Sequence, residues 1–266
     1  MTHLDRLESQ SVFIIREAFN KIDRLALLWS AGKDSQTLLW LARKAFFGHV
    51  PFPCVFLETG YDMPELVELR DRLAREWQLD LVIARNDAAL ADGMNHTRGR
   101  VVCCSALLKD NLKLIVERER YGGLIVGVRR DEDPTRAKER YFSPRDSHME
   151  WQVEDQPPEL WDQCNTDLAA DTHLRVHPLL HWAEADIWEY AGREQIPNVP
   201  LYFATGGRRY RSLGCVPCTR SIESDADSVE RIREELLTIR TSERSVRAQD
   251  QESEAAFERL RRDGYM

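Results

Sequence analysis

No run of eighteen apolar residues occurs among the 266 residues of this chain, so no membrane-crossing helix and no membrane partner are expected. The opening Met1-Thr2-His3-Leu4-Asp5-Arg6 is polar and lacks the apolar core of a secretory leader. The expected location is therefore the cytoplasm. An excess of positive charge is missing as well. The net charge is -8 and the pI near 5.5, which excludes a surface built to coat nucleic acid. Only local basic spots remain, at Arg129-Arg130 and Arg208-Arg209-Tyr210-Arg211, and any such spot can equally be an ion-paired face. The chain has no internal repeat, no low-complexity tract, and no cysteine after Cys218. Six cysteines in a reducing compartment are expected to be thiols, metal ligands or catalytic groups rather than disulfides.

What is present is alternation. Leu4, Leu7, Val12, Ile15 and Ala18 recur at helical spacing over 5–20. Leu25-Ala26-Leu27-Leu28-Trp29 is a continuous apolar run, expected of a strand covered on both faces. A helix follows over 35–47, a strand over 53–57, a helix over 63–77 and a strand over 79–83. Another helix is expected over 107–121 and a strand over 123–127. Strands alternating with helices predict an α/β fold with a doubly wound parallel sheet. Hydrophobic content of 42% and charged content of 31% suit a chain that buries a real core. Residues 133–170 are polar and proline-bearing and read as an excursion or flap. Short helices are expected over 182–190 and 226–240, and the tail from Thr241 is charge-rich. The expected division is a domain over 1–220 and a partly helical extension over 221–266.

The first strand runs directly into Ser30-Ala31-Gly32-Lys33-Asp34-Ser35, at the start of a clean amphipathic helix. This is not a Walker loop, since the four-residue gap before Gly-Lys-Ser/Thr is missing. Its chemistry still suits an anion. Gly32 permits close backbone approach, and helix N-terminal N–H groups point outward. Ser30 and Ser35 add hydroxyls, and Lys33 adds a charge. Glu58-Thr59-Gly60 and Gly127-Val128-Arg129-Arg130-Asp131 also follow strands directly, so they are expected to converge on the same cleft.

Four cysteines form two tight pairs, Cys103-Cys104 and Cys215-Val216-Pro217-Cys218. A CxxC supplies two soft ligands at bite distance, and the adjacent pair can supply two more. Zinc is a rival for four thiolates. The bland alternative is that Cys103 and Cys104 are small buried hydrophobes. Cys54 reads as core, and Cys164 as a possible relay thiol in a polar segment.

The loop resembles the PP-loop of the ATP pyrophosphatase superfamily, whose members cleave ATP between the α and β phosphates. Ala31 stands where the commonest version has glycine, a small departure if Ala31 keeps an ordinary backbone. The small subunit of bacterial ATP sulfurylase is similar along nearly the whole chain. The likeness includes Leu41-Ala42-Arg43-Lys44-Ala45-Phe46, Gly127-Val128-Arg129-Arg130-Asp131-Glu132, Arg136-Ala137-Lys138-Glu139-Arg140, Pro158-Glu159-Leu160-Trp161, Asp186-Ile187-Trp188 and Thr241-Ser242-Glu243-Arg244. The cysteine set resembles that of adenylyl-sulfate reductases, which the sulfurylase subunit normally lacks, but the reductases' C-terminal nucleophilic cysteine has no counterpart here. PP-loop proteins of DNA phosphorothioation systems resemble this combination. The resemblance thus implies an ATP pyrophosphatase that activates an acceptor for sulfur insertion, with a cysteine desulfurase as persulfide donor and DNA reached through partner proteins. The alternative is sulfate adenylyltransferase with a GTPase partner, and then a sulfonucleotide reductase. A homo-oligomer is left open. The implied cofactors are ATP, Mg²⁺ and a 4Fe-4S cluster on Cys103, Cys104, Cys215 and Cys218. The implied catalytic residues are Lys33, Asp34, Arg129 and Arg130, with Ser30, Gly32, Lys33, Asp34, Ser35, Glu58, Gly60 and Gly127 holding the nucleotide. Asp131, Glu132, Arg136 and Arg140 are expected on a lid over the cleft.

Overall fold

The computed structural model describes residues 1–132, 134–146, 149–151, 156, 159, 173–239, 241 and 243. Cys164, Trp161, Phe257, Leu260 and most of the expected tail lie outside them.

The core is a sheet of six strands among the described residues: β1 (Leu25–Leu28), β2 (Cys54–Glu58), β3 (Leu81–Arg85), β4 (Gly123–Ile125), β5 (Phe142–Arg145) and β6 (His173–Val176). Their order is β3-β2-β1-β4-β6-β5, parallel except for β5, which runs against β6. The uninterrupted apolar run of β1 is fully buried at the centre. A strand placed there has helices over both faces and needs no polar side.

Helix α1 (His3–Lys21) starts on a reciprocal capping box between Thr2 and Asp5. Helices α2 (Lys33–Ala45) and α3 (Pro64–Glu76) are the expected crossovers, each bounded within two residues of the pattern. Between β3 and β4 the chain forms α4 (Asp87–Ala91), α5 (Arg100–Cys104), a π-helical stretch over Ser105–Lys109 and α6 (Asp110–Glu119). The expected helix over 107–121 is therefore the second half of a longer helical run with one wide turn. Helix α7 (Glu184–Glu194) packs against α8 (Val229–Leu236), whose Ile232 is fully buried in the main core. A small antiparallel pair, β7 (Arg208–Arg209) and β8 (Ile222–Glu223), sits beside them.

The polar excursion after residue 133 contains sheet structure. Strand β5 pairs with β6 in the register Phe142↔Val176 to Arg145↔His173. Leu174 and Val176 enter the core, while His173 and Arg175 point to the other side and are still buried. No helix among the described residues is long and apolar enough to cross a membrane.

Candidate functional site

The strand order reverses between β1 and β4, and a crevice opens beyond their carboxyl ends, where open α/β sheets bind ligands. Ser30, Gly32, Lys33, Asp34 and Ser35 line one wall, with Val126, Gly127 and Val128 opposite. Thr59, Asp62, Glu132, Arg136, Tyr202 and the Ser212–Cys215 stretch complete it. The loop is braced from within: Ser35 Oγ donates to the Gly32 carbonyl at 3.0 Å and lies 3.1 Å from Ser30 Oγ. Tyr202 Oη accepts from the Lys33 N–H at 2.9 Å, anchoring the start of α2. Gly127 is needed for close approach, since a Cβ there would lie 3.3 Å from the Asp34 carbonyl carbon and the Ser35 nitrogen.

Ala31 does not keep an ordinary backbone. Its φ is +56°, in the left-handed region, where an L side chain costs about 1–2 kcal/mol. The departure from glycine is therefore a strained one. Ala31→Gly is expected to relieve it, partly offset by greater unfolded-chain freedom, and to raise Tm by roughly 2–4 °C. A Tm at or below that of the parent in thermal unfolding would contradict the strain.

Two buried cations form the floor. Lys33 and Arg129 are 2% and 0% exposed. Lys33 Nζ donates to Asp34 Oδ2 at 3.1 Å and to Glu243 Oε1. Arg129 donates from Nε to Asp131 Oδ1 at 2.9 Å, from Nη1 to Asp34, and from Nη2 to Glu243 Oε2 at 2.6 Å. Burial alone would lower the Arg129 pKa, but Glu243, Asp131 and Glu132 raise it, so its charge is secure. Burial alone would raise the Glu243 carboxyl, but Lys33 and Arg129 pull it down to about 2. Glu243 is the residue for which sequence reasoning assigned no role. Its signal was present in the Thr241-Ser242-Glu243-Arg244 likeness, 210 positions from Lys33.

The expected site residues do not all meet. Ser30, Gly32, Lys33, Asp34, Ser35 and Gly127 line the crevice, and Arg129 sits beneath it. Arg130 turns elsewhere, to His181 and to the Glu139 carbonyl at 3.2 Å, and is not among the crevice residues. Glu58 is held by Arg70 and Arg85, and Gly60 (φ +78°) shapes the turn after β2. From that turn Thr59 and Asp62 reach the crevice instead. The Thr59 N–H donates to Asp62 Oδ2 at 2.9 Å, yet burial holds the Asp62 carboxyl above its usual value. Of the expected lid, Glu132 and Arg136 are buried, paired with each other and part of the crevice wall. Arg140 donates to the Lys138 carbonyl.

The five described cysteines are thiols. Cys103 and Cys104 end α5, and Cys215 precedes a 3-10 turn over Val216–Cys218. Thr219 Oγ1 staples that turn, donating to the Cys215 carbonyl at 2.9 Å and accepting from the Gly214 N–H at 3.0 Å. Burial pushes Cys215 up to about 11, with Asp62, Cys218 and Cys103 adding to it against a Thr59 contact at 3.4 Å. Cys103 is raised too, by burial and by Cys218. The fold has thus brought the two distant pairs to one edge of the crevice. Among the described residues, however, no group of three or more His, Cys, Asp or Glu side chains stands arranged to hold a metal ion. The thiols as placed do not form the expected tetrad.

The basic run beside Cys215 is mostly interior. Arg209 is 1% exposed and paired with Glu235 at 2.7 Å. Arg211 forks onto Glu184 at 2.7 Å and donates to the Thr241 carbonyl at 2.8 Å. Only Arg208 of the three arginines reaches solvent, so the run offers no phosphate-binding stripe.

Residues 24–221 match the Phosphoadenosine phosphosulfate reductase domain. Sulfate adenylyltransferase subunit 2 of Geotalea uraniireducens is 36% identical over 296 residues, spanning 100% of this chain and 98% of that protein. The same subunit of a Shewanella species is 37% identical with the same coverage. Those alignments are longer than the chain's 266 residues, so the relatives carry positions with no counterpart here. Among solved structures, phosphoadenylyl-sulfate reductase of Candida auris shares the fold at TM-score 0.56 and 14% identity, covering 82% of this chain and 96% of that one. FMN adenylyltransferase of Candida glabrata does so at TM-score 0.57 and 18% identity, covering 82% and 64%. With the domain matched over most of its length and relatives matched from end to end, the chain belongs to the phosphoadenosine phosphosulfate reductase domain family of PP-loop enzymes, beside the second subunits of sulfate adenylyltransferase.

Proposed function

We propose that the chain transfers the adenylyl group of ATP to sulfate. A sulfate oxygen attacks the α phosphorus, the bond from that phosphorus to the bridging oxygen of the β phosphate breaks, and pyrophosphate leaves with the electron pair. The observation that carries this reading is the end-to-end likeness to sulfate adenylyltransferase subunit 2. The geometry supports it: a braced anion loop, the N-terminal end of α2 and Lys33 line one crevice, with Arg129 buried beneath it. Ser30, Ser35 and the loop backbone would hold the polyphosphate, with Lys33 and Arg129 beneath it. Asp62 and Asp34 are the carboxylates at the crevice that would hold Mg²⁺ beside the bound phosphates, each exchanging bonds its oxygens now accept, from Thr59 and from Lys33 and Arg129. There it would neutralise phosphate charge. The relatives are second subunits, so the partner in this reading is a first subunit rather than a desulfurase.

One observation favours the sulfur-insertion reading: Cys103, Cys215 and Cys218 lie near enough at the crevice edge to raise one another's thiols, a neighbourhood suited to carrying sulfur. A single preparation separates the two. Anaerobically purified protein, with its partner subunit, is expected to exchange labelled pyrophosphate into ATP only when sulfate is present. Sulfate-independent turnover together with stoichiometric iron and acid-labile sulfide would overturn the sulfate reading in favour of sulfur insertion.

A further inference from the structure

We propose that Glu243 is a built-in competitor for polyphosphate, a residue that sets which anions the crevice accepts. The inference rests on the nucleotide reading above but not on the acceptor.

All three guanidinium nitrogens of Arg129 already hold a carboxylate: Asp131 on Nε, Asp34 on Nη1 and Glu243 on Nη2. The Lys33 ammonium holds Asp34 and Glu243. Two positive groups therefore face three negative ones, and an approaching polyanion meets net repulsion. Lys33 keeps one N–H donor and Arg129 two beyond these bonds, but both groups are buried, so a phosphate oxygen gains full access to the pair only where a carboxylate gives way.

The three carboxylates are not equally free to leave. Asp34 sits in the first turn of α2, where helix geometry fixes it and the N-terminal dipole favours it. Asp131 also accepts from the Glu184 N–H at 2.8 Å, at the start of α7, and is pinned from both sides. Glu243 is on neither helix, and its carboxylate is hydrogen-bonded only to Lys33 and Arg129 among the described residues. Among the described residues, the anchor next to it in the chain is Thr241, whose carbonyl Arg211 holds.

The geometry of Glu243 is that of a phosphate. Its two oxygens bridge a lysine and an arginine, as two oxygens of one phosphoryl group would. A ligand with one anionic group would only exchange like for like. Pyrophosphate or a triphosphate brings further oxygens for the loop N–H groups and the hydroxyls of Ser30 and Ser35, and so wins the exchange. Glu243 thereby favours polyphosphates over monophosphates and sulfate at this position.

The test uses the full-length chain and inorganic pyrophosphate, with AMP as the single-phosphate probe and no sulfate. In calorimetry, Glu243→Gln and Glu243→Ala are expected to bind pyrophosphate about tenfold tighter than the parent, since one charge-assisted competitor is removed. AMP is expected to gain more than pyrophosphate, so the preference between the two narrows. In the parent, pyrophosphate is expected to speed trypsin cleavage after Arg244, the residue next to Glu243. Unchanged or weaker pyrophosphate binding in both variants overturns the proposal, as does absence of binding in all three proteins. Slower or unchanged cleavage overturns it too, and needs no variant to fold. Failure of sulfate-dependent exchange leaves each of these outcomes readable, so the two proposals fail separately.

Discussion

Lys33→Ala is expected to lower pyrophosphate release from ATP by about 10²–10³-fold, the usual effect of removing one preorganised charge from a buried reaction site. The size follows from placement. The ammonium is 2% exposed, sits at the first residue of α2 and is aimed by two carboxylates. A solvated lysine would lose much of its worth to water, whereas this one acts where the dielectric is low. Alanine keeps the helix and the N–H bond to Tyr202, but it leaves Asp34 and the buried Glu243 short of a partner, so a loss of stability is expected beside the loss of turnover, and release is compared at a temperature where both proteins are folded. Release within a few-fold of the parent would remove Lys33 from the chemistry.

Arg129→Met is expected to cost about 3–5 kcal/mol of stability, the range for breaking a buried ion pair by deleting one partner. The guanidinium is fully buried, and methionine would leave Asp34, Asp131 and Glu243 short of their shared cation. Lysine should rescue poorly, because it cannot offer a planar fork to three carboxylates. The pH dependence has a definite sign. Against burial, the Lys33 and Arg129 charges hold the Glu243 carboxyl down to about 2 in the fold, below its ordinary 4.5. Its stabilising contribution is fully present above about 4.5 and is lost as pH falls through the folded value. Without Arg129 that folded value rises, so the acid loss should begin at higher pH. Thermal unfolding of both proteins from neutral pH downward checks size and direction. A variant within about 1 kcal/mol of the parent and with the same acid profile would contradict the network.

The first four strands and their helices were legible because each carries a single repeating pattern. Leu25–Leu28 is apolar throughout, and α2 and α3 show helical spacing. The anion loop was legible because its glycine, lysine and serines occupy consecutive positions. Strands β5 and β6 were not. Arg145, His173 and Arg175 are charged or polar residues that the fold buries, and burial pushes Arg175 down to about 9. Charge that is buried reads in a sequence as charge that is solvated, so Phe142–Arg145 falls within the expected polar excursion over 133–170 and His173–Val176, just beyond it, carries no strand expectation. The same confusion ran through Arg209 and Arg211, whose partners Glu235 and Glu184 are far away in sequence. Arg130 was placed beside Arg129 because they are neighbours in the chain. Adjacent side chains diverge, and His181 takes the second one. For Glu243 the family likeness marks the segment, but its pairing with Lys33 needs the fold itself, since no local rule links the start of a charged tail to a loop 210 positions away.

The wide turn over Ser105–Lys109 has a consequence of a different kind. Helix α6 is locked to the sheet by Asn111, whose side-chain amide donates to the Ala84 carbonyl at 2.9 Å, and by the buried Leu112 and Ile115. Helix α5 must instead aim Cys104 at the crevice. A regular helix would tie these two orientations together, each residue advancing about 100° around the axis. The π turn works as a phase shifter between them. Its wider spacing offsets the facing of Cys103 and Cys104 from the one that a regular helix continued back from Asp110 would impose.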